Sequence, residues 1–179
     1  MSVPECLAWP IVYNLALRLY CDLEQPKSIM LDERTRSATF KGQLSLSHDD
    51  IRTQTTATCR FIIGPGWQEQ LPYVACDESW VTRGNADWHT YPDGSLCFEF
   101  DERWRDELTI VAAEDGLGPA AEFAKTWCLR STRCLLWRHL VAHRAGMKKW
   151  PKAWESWSHG RVDAHEQYYQ EKLRSVVHS

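Results

Sequence analysis

The spacing of apolar residues divides the chain into a first helix, a group of strands and a helical C-terminal part. Residues 9–21 carry apolar side chains at helical spacing and predict a helix, with Pro10 in its first turn. The segments "TFKGQLSLS" and "ATCRFII" alternate apolar and polar residues instead, and the first of them places Phe40, Leu44 and Leu46 on one face. This order favours an α+β fold whose antiparallel sheet packs on helices.

Weaker patterns predict two more strands and further helices. "LPYVACDESW" favours an irregular third strand after the break at "GPGW", and residues 95–100 favour a short fourth strand. A helical pattern resumes over residues 119–143, with Gly146 as the expected stop. Pro151 is expected to begin a short helix, and another helix is expected from about residue 163 to 173.

Length, composition and charge limit the class of protein. At 179 residues with 44% hydrophobic residues, the chain is long enough to bury one core, so we expect a single domain over residues 1–179. A net charge of -3 without a basic tract argues against nucleic-acid binding, which needs clustered Lys and Arg. No apolar run is long enough for a membrane span and no leader is visible, so we expect a cytoplasmic protein.

The seven cysteines are an odd number without C-x-x-C spacing, which indicates reduced thiols rather than a disulfide framework. Cys97 stands out because alternation in an extended segment places Leu96, Phe98 and Phe100 on the core face and Cys97 on the other. The turn "YPDG" at residues 91–94 precedes it. The thiol is therefore expected near the surface at a rigid turn, either as a nucleophile or as a half-exposed bystander.

The stretch "GSLCFEFDERWRDELTI" resembles the ubiquitin-conjugating enzymes, which carry a ubiquitin-like protein as a cysteine thioester. The family shows a glycine three residues before the cysteine, an aliphatic residue directly before it and a downstream W-x-x-x-L-T-I setting. The matching residues here are Gly94, Leu96, Cys97, Trp104, Leu108, Thr109 and Ile110. The resemblance covers about residues 35–112, and it implies a ubiquitin-conjugating-enzyme-like fold with an N-terminal helix, about four antiparallel strands and C-terminal helices.

A second resemblance is to the divergent bacterial members of this family found in antiphage operons of the CBASS type. They share an H-x-Y-P-D-G-x-L-C stretch and a C-terminal W-x-x-W-x-x-x-G-x-x-x-x-H pattern, matched here by Trp154, Trp157, Gly160 and His165. The tail pattern covers about residues 150–165, within a helical C-terminal elaboration expected at about 119–175. This second resemblance places the tail near the catalytic face.

The resemblance implies a catalytic role for Cys97 and raises the question of His89. The eukaryotic enzymes carry an asparagine eight residues before the cysteine, where it steadies the oxyanion or the active-site loop, and this chain has His89 there. A histidine can donate one hydrogen bond to an oxyanion, as an amide can. It can equally hold the loop through the backbone, so both roles stay open.

Three further residues are candidates for supporting the reaction at Cys97. Asp101 and Glu102 lie in an acidic stretch that can attract and desolvate an incoming lysine, although a solvated charged loop explains them as well. His165 is either a structural histidine that holds a loop or a general base.

A zinc site on the helical stretch at residues 119–143 is a competing hypothesis. His139 and His143 are four residues apart and could share a helix face as ligands. Cys128 and Cys134 do not join them on that face, so core thiols with surface histidines are the expected arrangement. We expect no metal and no other cofactor.

The hypothesis from the sequence is a transferase that accepts a protein C-terminus on Cys97 and passes it to a lysine or another amine. By resemblance, the acyl donor is a cGAS-like nucleotidyltransferase (CD-NTase) in antiphage defence. The chain shows no glycine-rich nucleotide loop, so a separate activating enzyme charges it or none is needed. One alternative is the conjugating enzyme of a bacterial ubiquitin-like pathway with its own activating enzyme, and another is a non-catalytic scaffold of the same fold.

Overall fold

The computed structural model describes residues 5–48, 51–70, 72–98 and 102–151. It is an α+β fold with an N-terminal helix, a four-stranded antiparallel sheet and two C-terminal helices, which confirms the predicted class. The helices are α1 (Glu5–Asp22), α2 (Glu102–Asp115) and α3 (Leu117–Arg144). The strands are β1 (Met30–Asp32), β2 (Ser37–His48), β3 (Ile51–Ile63) and β4 (Tyr73–Cys76), and they lie side by side in chain order.

The two long central strands follow the predicted alternation. Phe40, Leu44 and Leu46 of β2 are buried, as are the alternate residues of β3 from Ala57 onward. Phe40 and Phe61 are directly opposed in the antiparallel register, and their rings stack with centroids 5.3 Å apart. Aromatic pairs of this kind contribute beyond the area they bury, so this pair anchors the centre of the sheet.

Helix α1 covers the sheet and contacts α3. It begins at Glu5, earlier than predicted, so Pro10 lies inside the helix rather than in its first turn. Leu15 and Leu19 are fully buried, in agreement with their helical spacing. The buried indole of Trp67, in the turn after β3, donates from Nε1 to the carbonyl of Ile11 at 2.8 Å. That bond ties the turn after β3 to the helix.

The predicted fourth strand is wrong. Up to Phe98, where the described segment ends, Ser95 and Leu96 form only single bridges, to Ala75 and to Thr90. The turn at residues 91–94 folds the chain back on itself, so only a short stretch can reach the outer edge of β4. The fourth strand is instead β1, at the opposite edge of the sheet.

Strand β4 is also shorter than the predicted irregular strand, because the chain leaves the sheet after Cys76. Helix α3 confirms the predicted C-terminal helix and stops before Gly146, whose φ of +64° is readily adopted only by glycine. Helix α2 was not predicted as an element. Pro151 is the last described residue of this part and is not helical, and the helices predicted after it lie outside the described residues. None of the helices described is long and apolar enough to cross a membrane.

Candidate functional site

Cys97 lies in the irregular segment between β4 and α2. We call residues 77–98 the site loop. Leu96 and Phe98, on either side of Cys97, are 5% and 7% exposed, whereas Cys97 is partly exposed. The predicted orientation of Cys97 away from the core is therefore confirmed. The backbone N–H of Cys97 donates to the carbonyl of His89 at 2.7 Å. This bond fixes the backbone at the thiol.

The turn before Cys97 is held by the carboxylate of Asp93. Its Oδ1 accepts from both the N–H and the hydroxyl of Ser95, at 2.9 and 2.6 Å, and its Oδ2 accepts from the hydroxyl of Tyr73 at 2.7 Å. These bonds, led by the Ser95 hydroxyl, lower the pKa of Asp93 to about 2. Gly94 completes the turn at φ +83°, a conformation that other residues rarely adopt. The turn is therefore rigid, as its sequence predicts.

Tyr91 is the side chain that contacts the sulfur. Its hydroxyl donates to the Sγ of Cys97 across 3.4 Å, and this hydrogen bond is the main cause that raises the pKa of Tyr91. The side chain of Tyr91 is 52% exposed, so the pair faces solvent. From the sequence, Tyr91 was predicted only as a turn residue. Its position six residues before the cysteine, across a tight turn, is the signal that points to the contact.

His89 adopts a left-handed conformation, with φ at +57°. Its N–H donates to the carbonyl of Ala86, and its carbonyl accepts the N–H of Cys97. Its ring lies 6.0 Å from the ring of Trp150, centroid to centroid. The bond to Cys97 comes from the main chain of His89, so both roles proposed for its side chain stay predictions.

His139 of α3 holds the site loop through two hydrogen bonds to its backbone. Its Nδ1 accepts the N–H of Thr82 at 3.2 Å, so the ring proton is on Nε2, which donates to the carbonyl of Trp88 at 2.9 Å. The ring is fully buried, and burial is the main cause that lowers its pKa to about 4. This role of His139 was not predicted, because His139 and His143 were expected to be surface histidines. For His139 that expectation is wrong.

The two hydrogen bonds of His139 also bear on the zinc hypothesis. Both ring nitrogens are occupied by the backbone, so His139 has no lone pair for a metal. In the described part of the chain, no three His, Cys, Asp or Glu side chains come together as a group that could hold a metal ion. The pair of His139 and His143 is therefore not a zinc site.

Trp150 packs against the same loop. Its ring stacks on Trp88 at a centroid distance of 5.6 Å, meets His139 edge to face at 5.3 Å, and lies 5.6 Å from the guanidinium of Arg138. The chain that follows α3 therefore returns to the site loop at Trp150. The other predicted tail residues, among them His165, lie outside the described residues.

The side chains of the two acidic residues expected beside the thiol are not described. Asp101 lies outside the described residues, and Glu102 is the first residue of α2, with a side chain that is likewise not described.

The remaining cysteines separate into buried and accessible thiols. Cys59, Cys76 and Cys128 are buried, and burial raises the pKa of Cys128 to about 12. A hydrogen bond with Cys76, together with burial, raises the pKa of Cys59 well above its usual range. Cys21, on α1, is exposed. It provides an accessible thiol outside the site loop for comparison with Cys97.

Comparison of the chain with protein-family models, curated proteins and solved structures found no match. What the site can do therefore follows from its geometry. A partly exposed thiol on a rigid turn, with a hydroxyl donor on its sulfur, has the parts of a nucleophile that forms covalent acyl intermediates.

Proposed function

We propose that the chain is a ubiquitin-conjugating-like acyltransferase that carries a protein C-terminus as a thioester on Cys97. The observation that supports this most is the placement of Cys97: a partly exposed thiol between two buried residues, at a turn held by Asp93 and bonded to Tyr91. A bystander cysteine needs none of these arrangements. A carrier needs the exposure and the rigid turn, because the thiol must be presented to two partners in turn.

The chemistry explains why the nucleophile is a cysteine. The Cys97 sulfur attacks the activated carbonyl carbon of the donor, a C–S bond forms, and the donor's leaving group departs with its electron pair. An amine nitrogen then attacks the same carbon, an amide forms, and the Cys97 sulfur leaves and regains a proton. A thioester preserves most of the activation of the acyl group, whereas a serine ester would be too stable for the second step.

The donor and the setting come from the resemblance. The order of helix, antiparallel sheet and C-terminal helices is compatible with a ubiquitin-conjugating-enzyme-like fold. The donor we propose is the C-terminus of a CD-NTase in a bacterial antiphage system, and the acceptor is a lysine or another amine. A ubiquitin-like donor with a separate activating enzyme is the alternative.

Supporting roles follow for four residues. His89, whose carbonyl accepts the N–H of Cys97, either donates to the oxyanion from its ring or holds the loop. Asp101 and Glu102 attract the incoming amine. His165, in the tail pattern, acts as a structural residue or as a general base.

Substitution of Cys97 tests the proposal. The native chain is incubated with the products of its neighbouring genes and analysed on denaturing gels with and without reductant. We expect a reductant-sensitive adduct on the native chain, a reductant-resistant one on Cys97→Ser, and a loss of conjugation of at least about 10³-fold in Cys97→Ala. The stability of Cys97→Ala should stay within about 0.5 kcal/mol of the native value, because the side chain is not in the core.

Cys21→Ala is the matched control, since it removes an exposed thiol on α1 and should leave conjugation unchanged. Conjugates that persist in Cys97→Ala would contradict the proposal, and the chain would then be a scaffold.

A further inference from the structure

We infer that Tyr91 is a second catalytic residue, whose hydroxyl stabilises negative charge on the Cys97 sulfur and then on the oxygen of the acyl group. The inference rests on the proposed carrier function and names the group that makes the first step possible. Two observations support it. The hydroxyl of Tyr91 contacts the sulfur, and the backbone N–H of Cys97 already donates to another group.

The occupied amide removes one of the donors that could serve. In many acyl-transfer enzymes, backbone N–H groups near the nucleophile bind the oxyanion. Here the N–H of Cys97 donates to the carbonyl of His89 at 2.7 Å, a short bond that holds the loop. The hydroxyl of Tyr91, 3.4 Å from Sγ, is a donor beside the reacting atom that can turn toward a new acceptor.

The backbone of Tyr91 is fixed on both sides. Its N–H donates to the carbonyl of Ser95 at 2.9 Å, and its carbonyl accepts the N–H groups of Gly94 and Gly84 at 3.0 and 3.1 Å. The ring therefore starts from a rigid base even though it is half exposed. Only the side chain then has to be ordered during the reaction, which lowers the cost of using it as a donor.

The step can be written with its atoms balanced. The thiolate of Cys97 attacks the carbonyl carbon of a thioester donor, and the π electron pair moves to the carbonyl oxygen. The Tyr91 hydroxyl shifts its hydrogen bond from sulfur to that oxygen, which lies close to the sulfur in the tetrahedral intermediate. The electron pair on the oxygen then re-forms the C=O bond, the donor's thiolate leaves, and the acyl group stays on Cys97. Tyr91 keeps its proton throughout, consistent with the raised pKa of its phenol.

Tyr91→Phe removes the hydroxyl and keeps the ring. The probe is a synthetic peptide thioester with a mercaptoethanesulfonate leaving group, and mass spectrometry follows acylation at Cys97 and at Cys21 in the full chain. We expect Tyr91→Phe to acylate Cys97 about 10-fold more slowly than the native chain, less than the loss at a buried oxyanion hole because the ring is half exposed. Acylation of Cys21 should be unchanged.

A second measurement does not depend on acyl transfer. The rate of iodoacetamide alkylation at Cys97 is measured at neutral pH, and it should fall in Tyr91→Phe because the thiolate, which is the attacking species, has lost a hydrogen-bond donor. Tyr13→Phe, on α1, is the control in both assays and should match the native chain.

The outcomes separate the two proposals. If the native chain acylates Cys97 no faster than Cys21, the carrier function fails, and the role of Tyr91 in it fails with it. If the native chain is acylated rapidly at Cys97 and Tyr91→Phe equals it, only the role of Tyr91 is overturned. Slower acylation of Tyr91→Phe with a native rate of alkylation also overturns it, because the hydroxyl would then not act on the sulfur.

Discussion

The sheet with α1 and the site loop are stabilised in different ways. The sheet and α1 are stabilised by many buried apolar side chains, and Phe40, Phe61 and Leu15 are each at most 2% exposed. The site loop buries few apolar side chains and is held by single polar groups, chiefly the ring of His139 and the carboxylate of Asp93. The stability of the sheet is therefore spread over many contacts, whereas the geometry at Cys97 depends on a few hydrogen bonds.

The largest effect should come from the sheet. Phe61→Ala empties a fully buried position stacked on Phe40, so we expect a loss of about 3–5 kcal/mol in the free energy of unfolding, measured by denaturant titration. Ile62→Ala, on the half-exposed opposite face, is the control and should cost less than half as much. Equal losses for the two variants would mean that the core does not lie on the face described.

Acid should act on the loop through His139. In the unfolded chain this histidine binds a proton near pH 6.5, but in the folded chain only near pH 4, so its contribution to stability is complete above pH 6.5 and is lost as the pH falls toward 4. Between pH 7 and pH 5 we expect this residue alone to cost about 2 kcal/mol of unfolding free energy. Denaturant titrations at both pH values measure it.

His139→Gln should remove that pH-dependent loss while lowering stability at pH 7. His143→Gln, at an exposed position on the same helix, is the matched control and should retain the native difference between the two pH values. An unchanged pH dependence in His139→Gln would show that the buried ring is not the group that titrates.

The smallest effect is expected at the turn. Gly94→Ala places a Cβ 3.2 Å from the carbonyl oxygen of Cys76 at a φ of +83°, and we expect a cost of about 1–2 kcal/mol. Gly66→Ala, with open space around its Cβ and an ordinary φ, should be nearly neutral. Alkylation of Cys97 should become faster in Gly94→Ala because the turn loosens. A stable Gly94→Ala with native alkylation would show that the turn does not constrain the thiol.

The same contrast explains how much could be predicted from the sequence. Strands β2 and β3 were predictable because alternation along a strand reflects burial of one face. Strand β1 escaped prediction because all three of its residues are exposed, so no alternation marks it. Residues 95–100 do alternate, yet backbone bonds across a turn rather than strand pairing account for Leu96 and its neighbours. Alternation therefore reports which face is buried, not whether a ladder forms.

The site was predictable where it is local and unpredictable where it is not. Cys97 and the turn at residues 91–94 are adjacent in sequence, so turn chemistry was enough to place the thiol. His139 was missed because its partners, Thr82 and Trp88, are 57 and 51 residues away and are backbone groups, which carry no mark in the sequence. Side chains that bond a distant backbone become visible only once the fold is known.

The two bonds of His139 also set an order in time. Residues of the site loop leave the ribosome before the helix that locks them, since His139 follows Trp88 by 51 residues. A nascent chain that ends within α2 already contains Tyr91 and Cys97, but it lacks the ring that joins Thr82 to Trp88. The thiol is thus synthesised well before the side chain that holds its loop, and the two bonds of His139 can form only when α3 has emerged and docked.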